Sequence, residues 1–199
     1  MIVNLRKCKA RDPATSLRCN TAFKPISAWQ LACSPICAIH ISAALRFKNE
    51  QKELRRVARE RKDGLDKLKT RRDWFKEAQT AINAYCRTRD LKAGHGCIDC
   101  GKPFEPQKVG GSVDAGHFLS RGSHPNLALN ELNIHAQRKN CNRPGGTTAA
   151  AFRLGMIKRI GLDAVEALEA DHEPKHYTID ELVEIKTKYL RLTRELKKD

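Results

Sequence analysis

Apolar residues recur at helical spacing in two stretches of the chain, one central and one near its end. In the central stretch, residues 73–90, they fall three or four positions apart, at Trp74, Ala78, Ala81, Ile82 and Tyr85. In the other stretch, from about residue 179 to residue 197, the same spacing links Leu182, Ile185, Tyr189 and Leu192. Both patterns predict amphipathic helices with one face packed on a core. Thr178 and Glu181 match a capping box that opens the second helix.

Two shorter helices are predicted between these stretches. The segment "TAAAFRLGMIKRIG" ends at Gly161, a residue type that often terminates helices. A further short helix is expected from Leu162 to Ala170.

Residues 41–72 are rich in good helix formers and contain no proline. From Arg46 to Arg72 this segment carries 12 Lys and Arg residues against 5 Asp and Glu residues. Gly64 is expected to weaken the helix locally. A solvated helix laced with salt bridges is one interpretation, and a basic arm lying along phosphates is the other. The excess of one charge favours the arm, with Arg55, Arg56 and Arg59 as candidate DNA contacts.

The charge of the whole chain points the same way. The net charge is +15 and the pI is about 9.7, which favours an anionic partner, most commonly nucleic acid. There is no long apolar run and no lipidation signal, so we expect no membrane association. The first residues contain no apolar stretch of signal-peptide length, which favours a cytoplasmic protein.

Eight cysteines in a reducing compartment are more typical of metal sites than of disulfides. Four of them group in the loop-rich segment 1–40: Cys8, Cys19, Cys33 and Cys37. We expect them to bind a structural zinc ion, with His40 as an alternative to Cys8 for the fourth ligand. Cys86 stands apart and is interpreted as a small buried residue on a helix.

A second cysteine cluster lies in the other half of the chain. Cys97 and Cys100 form half of a zinc knuckle, and Cys141 stands where the other half would end. The remaining position of that half is Arg138, so the fourth ligand is missing. A histidine could replace it, and we expect His135 in that role, with His95 as the alternative.

The order of residues around this cluster resembles the HNH or ββα-metal nucleases, in which a C-x-x-C pair is followed by a His-bearing hairpin, an Asn and C-x-x-C-N. Here the corresponding residues, in order, are Cys97, Cys100, Asp114, His117, Asn133, Arg138, Cys141 and Asn142. The resemblance implies a ββα-metal domain. It gives a mostly α fold class with small β content: a zinc-binding segment (1–40), a basic helical arm (41–72) and an HNH-like domain closed by C-terminal helices (73–199).

Several motifs are similar to one family in particular, the phage NinG (Rap) recombination proteins. They are "DAGHF", "NIH", "CN", "CSPICA", "FKP" and the tail "IGLDAVEALE…YTIDELVEIKTKY". The resemblance implies a structure-selective endonuclease that cleaves branched DNA, such as Holliday junctions and D-loops, in the cytoplasm of a bacterial host. Symmetric cutting of a junction would suit a homodimer, with the basic helix as a candidate interface.

The residue types fit phosphodiester hydrolysis. His117 can take a proton from water near neutral pH and is the expected general base. Asp114 and Asn142 offer hard oxygens that suit Mg²⁺ or Mn²⁺. Asn133 is expected to orient the hairpin that carries the histidine. Arg121 and His124 are candidate phosphate contacts, as is Arg138 for DNA.

A non-catalytic interpretation stays open beside this one. A zinc-stabilised DNA-binding accessory factor would show the same charge and the same cysteines, and an RNA-binding protein is a poorer third alternative. Dependence on a divalent cation and on His117 would separate the nuclease from both.

Overall fold

The computed structural model describes residues 5–105 and 112–198, so the first four positions of the predicted zinc-binding segment lie outside the described part. The protein is mostly helical, with two small antiparallel sheets of two strands each. In chain order the strands and helices are β1 (Arg6–Lys7), β2 (Ala22–Phe23), α1 (Pro35–Lys67), α2 (Arg71–Lys92), β3 (Val113–His117), β4 (Ile134–Arg138), α3 (Ala149–Ile160), α4 (Leu162–Ala170) and α5 (Ile179–Leu196). They form two compact units, Met1–Leu68 and Lys69–Asp199.

The first unit has a very small core. Within residues 5–68, the buried apolar residues of this core are all small: Cys8, Ala10 and Ala32. The short β1–β2 pair and the loops around it therefore bury little apolar surface. Cysteine side chains occupy core positions that Leu or Ile would occupy in a larger domain.

Helix α1 begins at Pro35, six residues before the predicted start at residue 41. Ser34 is its N-cap, and the Ser34 hydroxyl accepts a hydrogen bond from the N–H of Cys37 at 3.3 Å. Proline fits the first turn because its missing N–H would have no partner there. The helix runs through Gly64 without a break and ends at Lys67. All of its side chains are at least partly exposed.

The core of the second unit lies where α2 packs against α5 and against the β3–β4 hairpin. The largest apolar side chains of α2 that enter it are Trp74 and Ile82. Leu182 and Tyr189 meet them from α5, as the helical spacing predicted. Cys86 is fully buried in this core, which confirms its interpretation as a small buried residue. Across the described residues, no helix has both the length and the apolar character needed to cross a membrane.

The hairpin and the helix after it follow one another in ββα order. Strands β3 and β4 are antiparallel, with Asp114 opposite Gln137 and His117 opposite Ile134. The connection between them contains two 3₁₀ turns, Pro125–Leu127 and Glu131–Asn133. Helix α3 comes next along the chain.

Helices α3 and α4 form a second small core around Phe152, Met156 and Val165. Gly155 lets the backbone of α3 approach the turn between Cys97 and Cys100, because a Cβ at that position would lie 1.8 Å from the carbonyl oxygen of Ile98. Gly161 has a φ of 89° and ends α3 where predicted. Helix α4 spans Leu162–Ala170, as predicted, and α5 ends one residue before the predicted end.

A buried carboxylate ties α2, β4 and α3 together. Asp90 is 1% exposed, and its oxygens accept hydrogen bonds from Arg89 Nε at 2.8 Å, the N–H of Ala136 at 2.7 Å and Arg159 Nη1 at 3.2 Å. Burial alone would raise the pKa of Asp90, but the contacts with His135 and Arg89 and the Ala136 N–H outweigh it and lower the pKa.

We expect Asp90→Asn to lower the free energy of unfolding by about 3–5 kcal/mol, because it removes the charge that compensates Arg89 and Arg159 in a buried site. Urea denaturation at pH 7 measures the change, with the exposed Asp63→Asn as a neutral control. Because the pKa of Asp90 is lowered on folding, its contribution exists above the ordinary carboxyl pKa of about 3.9 and is lost as the pH falls below it. The gap between wild type and variant should therefore narrow in acid. An equal loss at every pH would contradict this assignment.

Candidate metal centres and catalytic hairpin

The four cysteines of the first unit converge on one point. Their sulfur atoms all lie within 4.8 Å of one another: Cys8, Cys19, Cys33 and Cys37. Cys19 Sγ and Cys33 Sγ are 3.6 Å apart, and Cys33 Sγ and Cys37 Sγ are 3.7 Å apart. Four sulfurs at about 2.3 Å from a tetrahedral zinc ion lie about 3.8 Å from each other. The cluster therefore has the size of a zinc site. It contains Cys8, so His40 is not needed as a ligand.

Local structure holds these sulfurs in place. Cys8 follows β1, and its N–H donates to the carbonyl of Thr21 at 3.0 Å. Cys33 and Cys37 flank the start of α1, and the N–H of Cys33 points at Cys8 Sγ at 3.4 Å. N–H groups directed at sulfur stabilise thiolates, which is the form that binds metal.

The pKa values of two thiols in this cluster are shifted in opposite directions. Hydrogen bonds from the side chain and backbone of Thr21 lower the pKa of Cys19 to about 6. Burial and the neighbouring sulfurs raise the pKa of Cys33 to about 12. Four thiolates repel one another at this distance, and a dication removes the repulsion. The cluster is therefore chemically suited to zinc.

The second cluster has three sulfurs. Cys97, Cys100 and Cys141 lie within 4.8 Å of one another, with 3.7 Å between the sulfurs of Cys100 and Cys141. The N–H of Arg138 points at Cys97 Sγ at 3.3 Å, while the Arg138 guanidinium binds the Glu105 carboxylate at 2.6 Å. The residue at the vacant cysteine position thus directs its backbone, not its side chain, at the sulfurs.

The structure does not bring His135, the expected fourth ligand, into the sulfur cluster. His135 is 1% exposed and lies in the Asp90 network instead. Its Nε2 is 3.1 Å from the carbonyl oxygen of Leu132, and its Nδ1 is 3.2 Å from Arg89 Nη2. Both ring nitrogens have hydrogen-bond partners, and neither lies in the sulfur cluster. His95 lines the same surface groove as Cys97 and Cys100 but is also outside the sulfur cluster.

We predict that the two clusters bind zinc with unequal affinity, because the first supplies four thiolates and the second three. A colorimetric chelator titrated into the zinc-loaded protein should remove the zinc of the three-sulfur cluster first. Cys100→Ser should abolish that early phase, and Cys19→Ser should change the late one. Release of both ions in one phase, or from the four-sulfur cluster first, would contradict the prediction.

The hairpin brings together two of the predicted ligands of the catalytic cation. Asn142 Nδ2 lies 3.2 Å from Asp114 Oδ2, although the residues are 28 positions apart. Asn142 is exposed and Asp114 is half-buried, so both can be reached from solvent. Rotation of the Asn142 amide would direct its oxygen to the same place as the carboxylate. One carboxylate and one amide oxygen are ligands that suit Mg²⁺ or Mn²⁺.

His117 lies on the other face of β3, because residues three apart in a strand point to opposite faces. Burial, together with the positive charge of Arg121, lowers the pKa of His117 to about 4. The imidazole is therefore neutral near pH 7, which is the form that can accept a proton. The structure does not place it in contact with Asp114.

The contact of His117 with α2 was not predicted from the sequence. Gln79 is 4% exposed, and its Nε2 lies 3.2 Å from His117 Nε2 and 2.9 Å from Asn83 Oδ1. If the Gln79 amide donates to His117 Nε2, the neutral ring carries its proton on Nδ1. Turned the other way, the Gln79 amide would accept from His117 Nε2–H, and the neutral ring would keep Nδ1 free to accept a proton. The sequence signal was a polar residue among the apolar positions of an amphipathic helix, next to Ala78.

We expect Gln79→Leu to shift the Nε2 resonance of His117 in spectra of protein labelled with ¹⁵N-histidine, because the hydrogen bond to that nitrogen is lost. Leucine fills a similar volume and cannot donate. The ring resonances of His135, which lies in the Asp90 network, serve as the internal control. Unchanged His117 resonances would show that the two side chains do not interact.

Asn133 is fully buried and spans the loop after β3. Its Oδ1 accepts from the N–H of Leu119 at 2.9 Å. Its Nδ2 donates to the carbonyls of Leu119 at 3.0 Å and Leu127 at 3.2 Å. The Asn133 side chain therefore fixes the chain just beyond His117, which is the geometry that an orienting residue requires.

The candidate DNA contacts differ in their surroundings. Arg121 and His124 lie in the loop between the strands, and His124 Nδ1 is 3.0 Å from Ser123 Oγ. On α1, Arg56 forms ion pairs with Glu53 and Glu60. Arg55 and Arg59 are exposed on the same helix. Arg138 is engaged with Glu105, as described above.

The model of the bacteriophage lambda NinG protein family matches residues 3–199 of this chain. The chain belongs to the NinG family. Protein ninG of Escherichia phage lambda is 34% identical over 203 residues, covering 96% of this chain and 93% of the relative. Protein ninG of Salmonella phage P22 is also 34% identical over 203 residues, with 96% and 94% covered. No solved structure matches the chain.

The NinG match covers both cysteine clusters and the whole hairpin. The resemblance inferred from the short motifs is therefore confirmed at the level of the family. Within this NinG-family chain, the sulfur clusters and the Asp114–Asn142 pair are exposed or partly exposed sites at which side chains from distant positions meet.

Proposed function

We propose that this NinG-family protein is a structure-selective endonuclease that hydrolyses phosphodiester bonds in branched DNA, such as Holliday junctions and D-loops, during phage recombination. The observation that carries the proposal is the hairpin. His117, whose imidazole is neutral at pH 7, and Asp114 both lie on β3, and Asn142, which contacts Asp114, lies just after β4. The three-sulfur cluster supplies cysteines from before β3 and after β4.

The proposed roles follow from the surroundings of each residue. His117 takes a proton from the attacking water, which its lowered pKa permits at neutral pH. Asp114 and Asn142 would hold Mg²⁺ or Mn²⁺, which supplies charge stabilisation at the phosphate. Arg121, close enough to His117 to lower its pKa, would bind the same phosphate.

The open edge of β3 supports this arrangement. Among the residues that the structure describes, the β3–β4 sheet has two strands, so β3 is paired there on one side only. A phosphodiester lying across the free edge would meet residues from both faces of the strand. That position accounts for a base and a cation site on opposite faces of one strand.

In this proposal the core is an HNH-like, ββα-metal domain, with zinc at the sulfur clusters in a structural role. A homodimer would present two such sites to the two strands of a junction. Sedimentation of the protein with and without a junction measures the oligomeric state.

The test is cleavage of a labelled four-way junction beside a linear duplex of the same sequence. Reactions contain Mg²⁺, Mn²⁺, Ca²⁺ or no added cation, and no chelator, so that zinc is retained. We expect nicking of the junction with Mg²⁺ or Mn²⁺, and little nicking of the duplex. Salt-sensitive junction binding without nicking under any cation would replace the nuclease by a zinc-stabilised DNA-binding accessory factor.

A further inference from the structure

A solvent-open apolar groove of about 500 Å³ lies within the first unit. One wall is the loop that carries Trp29 and Leu31. The other wall is one face of the first turns of α1, where residues at helical spacing line up: Ala38, Ile41, Ser42 and Leu45. The groove is large enough to hold a planar ring.

Trp29 stands at this groove with 89% of its surface exposed. Tryptophan is usually well buried in proteins, so such exposure on an ordered loop points to a partner. The loop is braced by Gln30, whose Oε1 accepts from the N–H of Ile26 at 2.7 Å and whose Nε2 donates to the carbonyl of Ala32 at 3.0 Å. The indole is therefore presented on a fixed support.

The charge around the groove selects the chemistry of that partner. Arg6 Nη1 donates to the carbonyl of Ala28 at 2.6 Å, beside Trp29, and the N–H of Lys9 donates to the carbonyl of Leu31 at 3.0 Å. Residues 5–40 include six cations: Arg6, Lys7, Lys9, Arg11, Arg18 and Lys24. They include one carboxylate, Asp12, which already accepts from the N–H groups of Ala14 and Thr15. An aromatic platform with a cationic surround fits a nucleic acid strand.

We propose that this groove binds an unpaired nucleobase of a DNA strand, stacked on Trp29, with the adjacent phosphates on the side of Arg6. The proposal rests on the proposed function for the identity of the nucleic acid. It goes further by assigning recognition of the unpaired strand at a branch to the first unit, outside the hairpin.

Stacking at this site is expected to tolerate any base. The polar side chains of the groove bond within the unit: Gln30 to its own loop, Ser34 to the start of α1, and Ser42 to the Ala38 carbonyl at 2.9 Å. Base edges therefore have few partners there, whereas every base offers a face to stack.

The test uses tryptophan fluorescence, because the chain has two tryptophans and Trp74 is buried in the second unit. Zinc-loaded protein is titrated with a 15-nucleotide oligodeoxythymidylate or with a 15-bp duplex, without Mg²⁺ or Mn²⁺. We expect the single strand to quench wild type and Trp74→Phe, and to leave Trp29→Phe nearly unchanged in emission. The duplex should quench less.

Affinity is measured in parallel by anisotropy of the labelled oligonucleotide. Trp29→Ala should weaken binding of the single strand by about 5- to 100-fold, as for other stacked bases. Trp29→Phe should recover most of the affinity, because a phenyl ring also stacks. Ile26→Ala is the matched control, since Ile26 is 96% exposed on the same loop and does not line the groove.

Wild-type affinity in Trp29→Ala, or equal quenching by the duplex, would overturn the proposal. So would a Trp29→Ala variant that loses a dimer in sedimentation while its affinity for DNA is unchanged, because the groove would then hold a second copy of the chain. These binding measurements are separate from the cleavage experiment under Proposed function. If the single strand quenches Trp29 but the protein does not nick the junction, this binding site stands and the proposed nuclease activity does not. Nicking without quenching would do the reverse.

Discussion

Replacing His117 by alanine is expected to slow junction nicking by about 100- to 10,000-fold, the range typical of losing a general base. The affinity for the junction should stay within about twofold. His117 is partly buried, so it contributes little surface to binding. Single-turnover nicking of a labelled junction measures the rate, and a gel-shift titration in Ca²⁺ measures the affinity.

The pH profile of nicking gives an independent check on the same residue. Burial and Arg121 lower the pKa of His117 to about 4, so the imidazole becomes protonated only as the pH falls towards that value. Between pH 6 and pH 8 we therefore expect no acidic limb attributable to His117. With an unperturbed histidine as the base, the nicking rate would fall as the pH drops below about 6.5.

His176→Ala is the matched control for the His117 experiment, since His176 is an exposed histidine in the connector before α5. It should nick at the wild-type rate. If His117→Ala nicks as fast as wild type, His117 is not the base. If His117→Ala fails to bind the junction, the residue acts through the fold of the hairpin.

The helices of the second unit were largely predictable, because each carries its signals locally. The capping box at Thr178 and the apolar spacing of α5 placed that helix to within one residue of its end. Gly161 ended α3 as expected, since its φ of 89° is one that glycine adopts readily. Local signals of this kind need no knowledge of which elements pack together.

The role of His135 could not be assigned from its sequence separation from Arg138. That separation indicates a shared metal site only if the segment is known to be a turn and not a strand. Its position three residues before Arg138 would suit a turn, in which nearby residues can reach one ion. Residues 134–138 form strand β4 instead, and residues three apart on a strand point to opposite faces. The side chain of His135 therefore enters the Asp90 network, which is assembled from three elements distant in sequence.

The start of α1 shows a different limit. Ser34 and Pro35 are ordinary signals for a helix start, but they lie between two cysteines of the segment 1–40, which the sequence predicts to be loop-rich. The loop ends at Cys33 and Ser34, and Cys37 already lies in the first turn of α1. Gln79 is a polar residue among the apolar positions of α2, but that signal does not name His117 as its partner, because the contact depends on how α2 packs against the hairpin.

Replacing Cys33 by serine is expected to remove one zinc ion from the protein and to unfold the loops and strands of the first unit. The effect should be large, because zinc binding to small structural sites contributes about 10–16 kcal/mol to folding. In the described part of this unit, the other buried core residues are too small to hold it together, because Ala10 and Ala32 bury little surface beside Cys8. Zinc content measures the first outcome, and amide hydrogen exchange of residues 5–34 measures the second.

Cys86→Ala is the matched control, because Cys86 is fully buried in the core of the second unit and belongs to neither sulfur cluster. It should keep the full zinc content and the protection of residues 5–34, and lose only packing around α2. A Cys33→Ser protein that retains all its zinc and its protection would show that apolar burial alone holds the first unit. Because Cys33 and Cys86 are the same residue type, any difference between the two variants reports the metal, not the loss of a thiol.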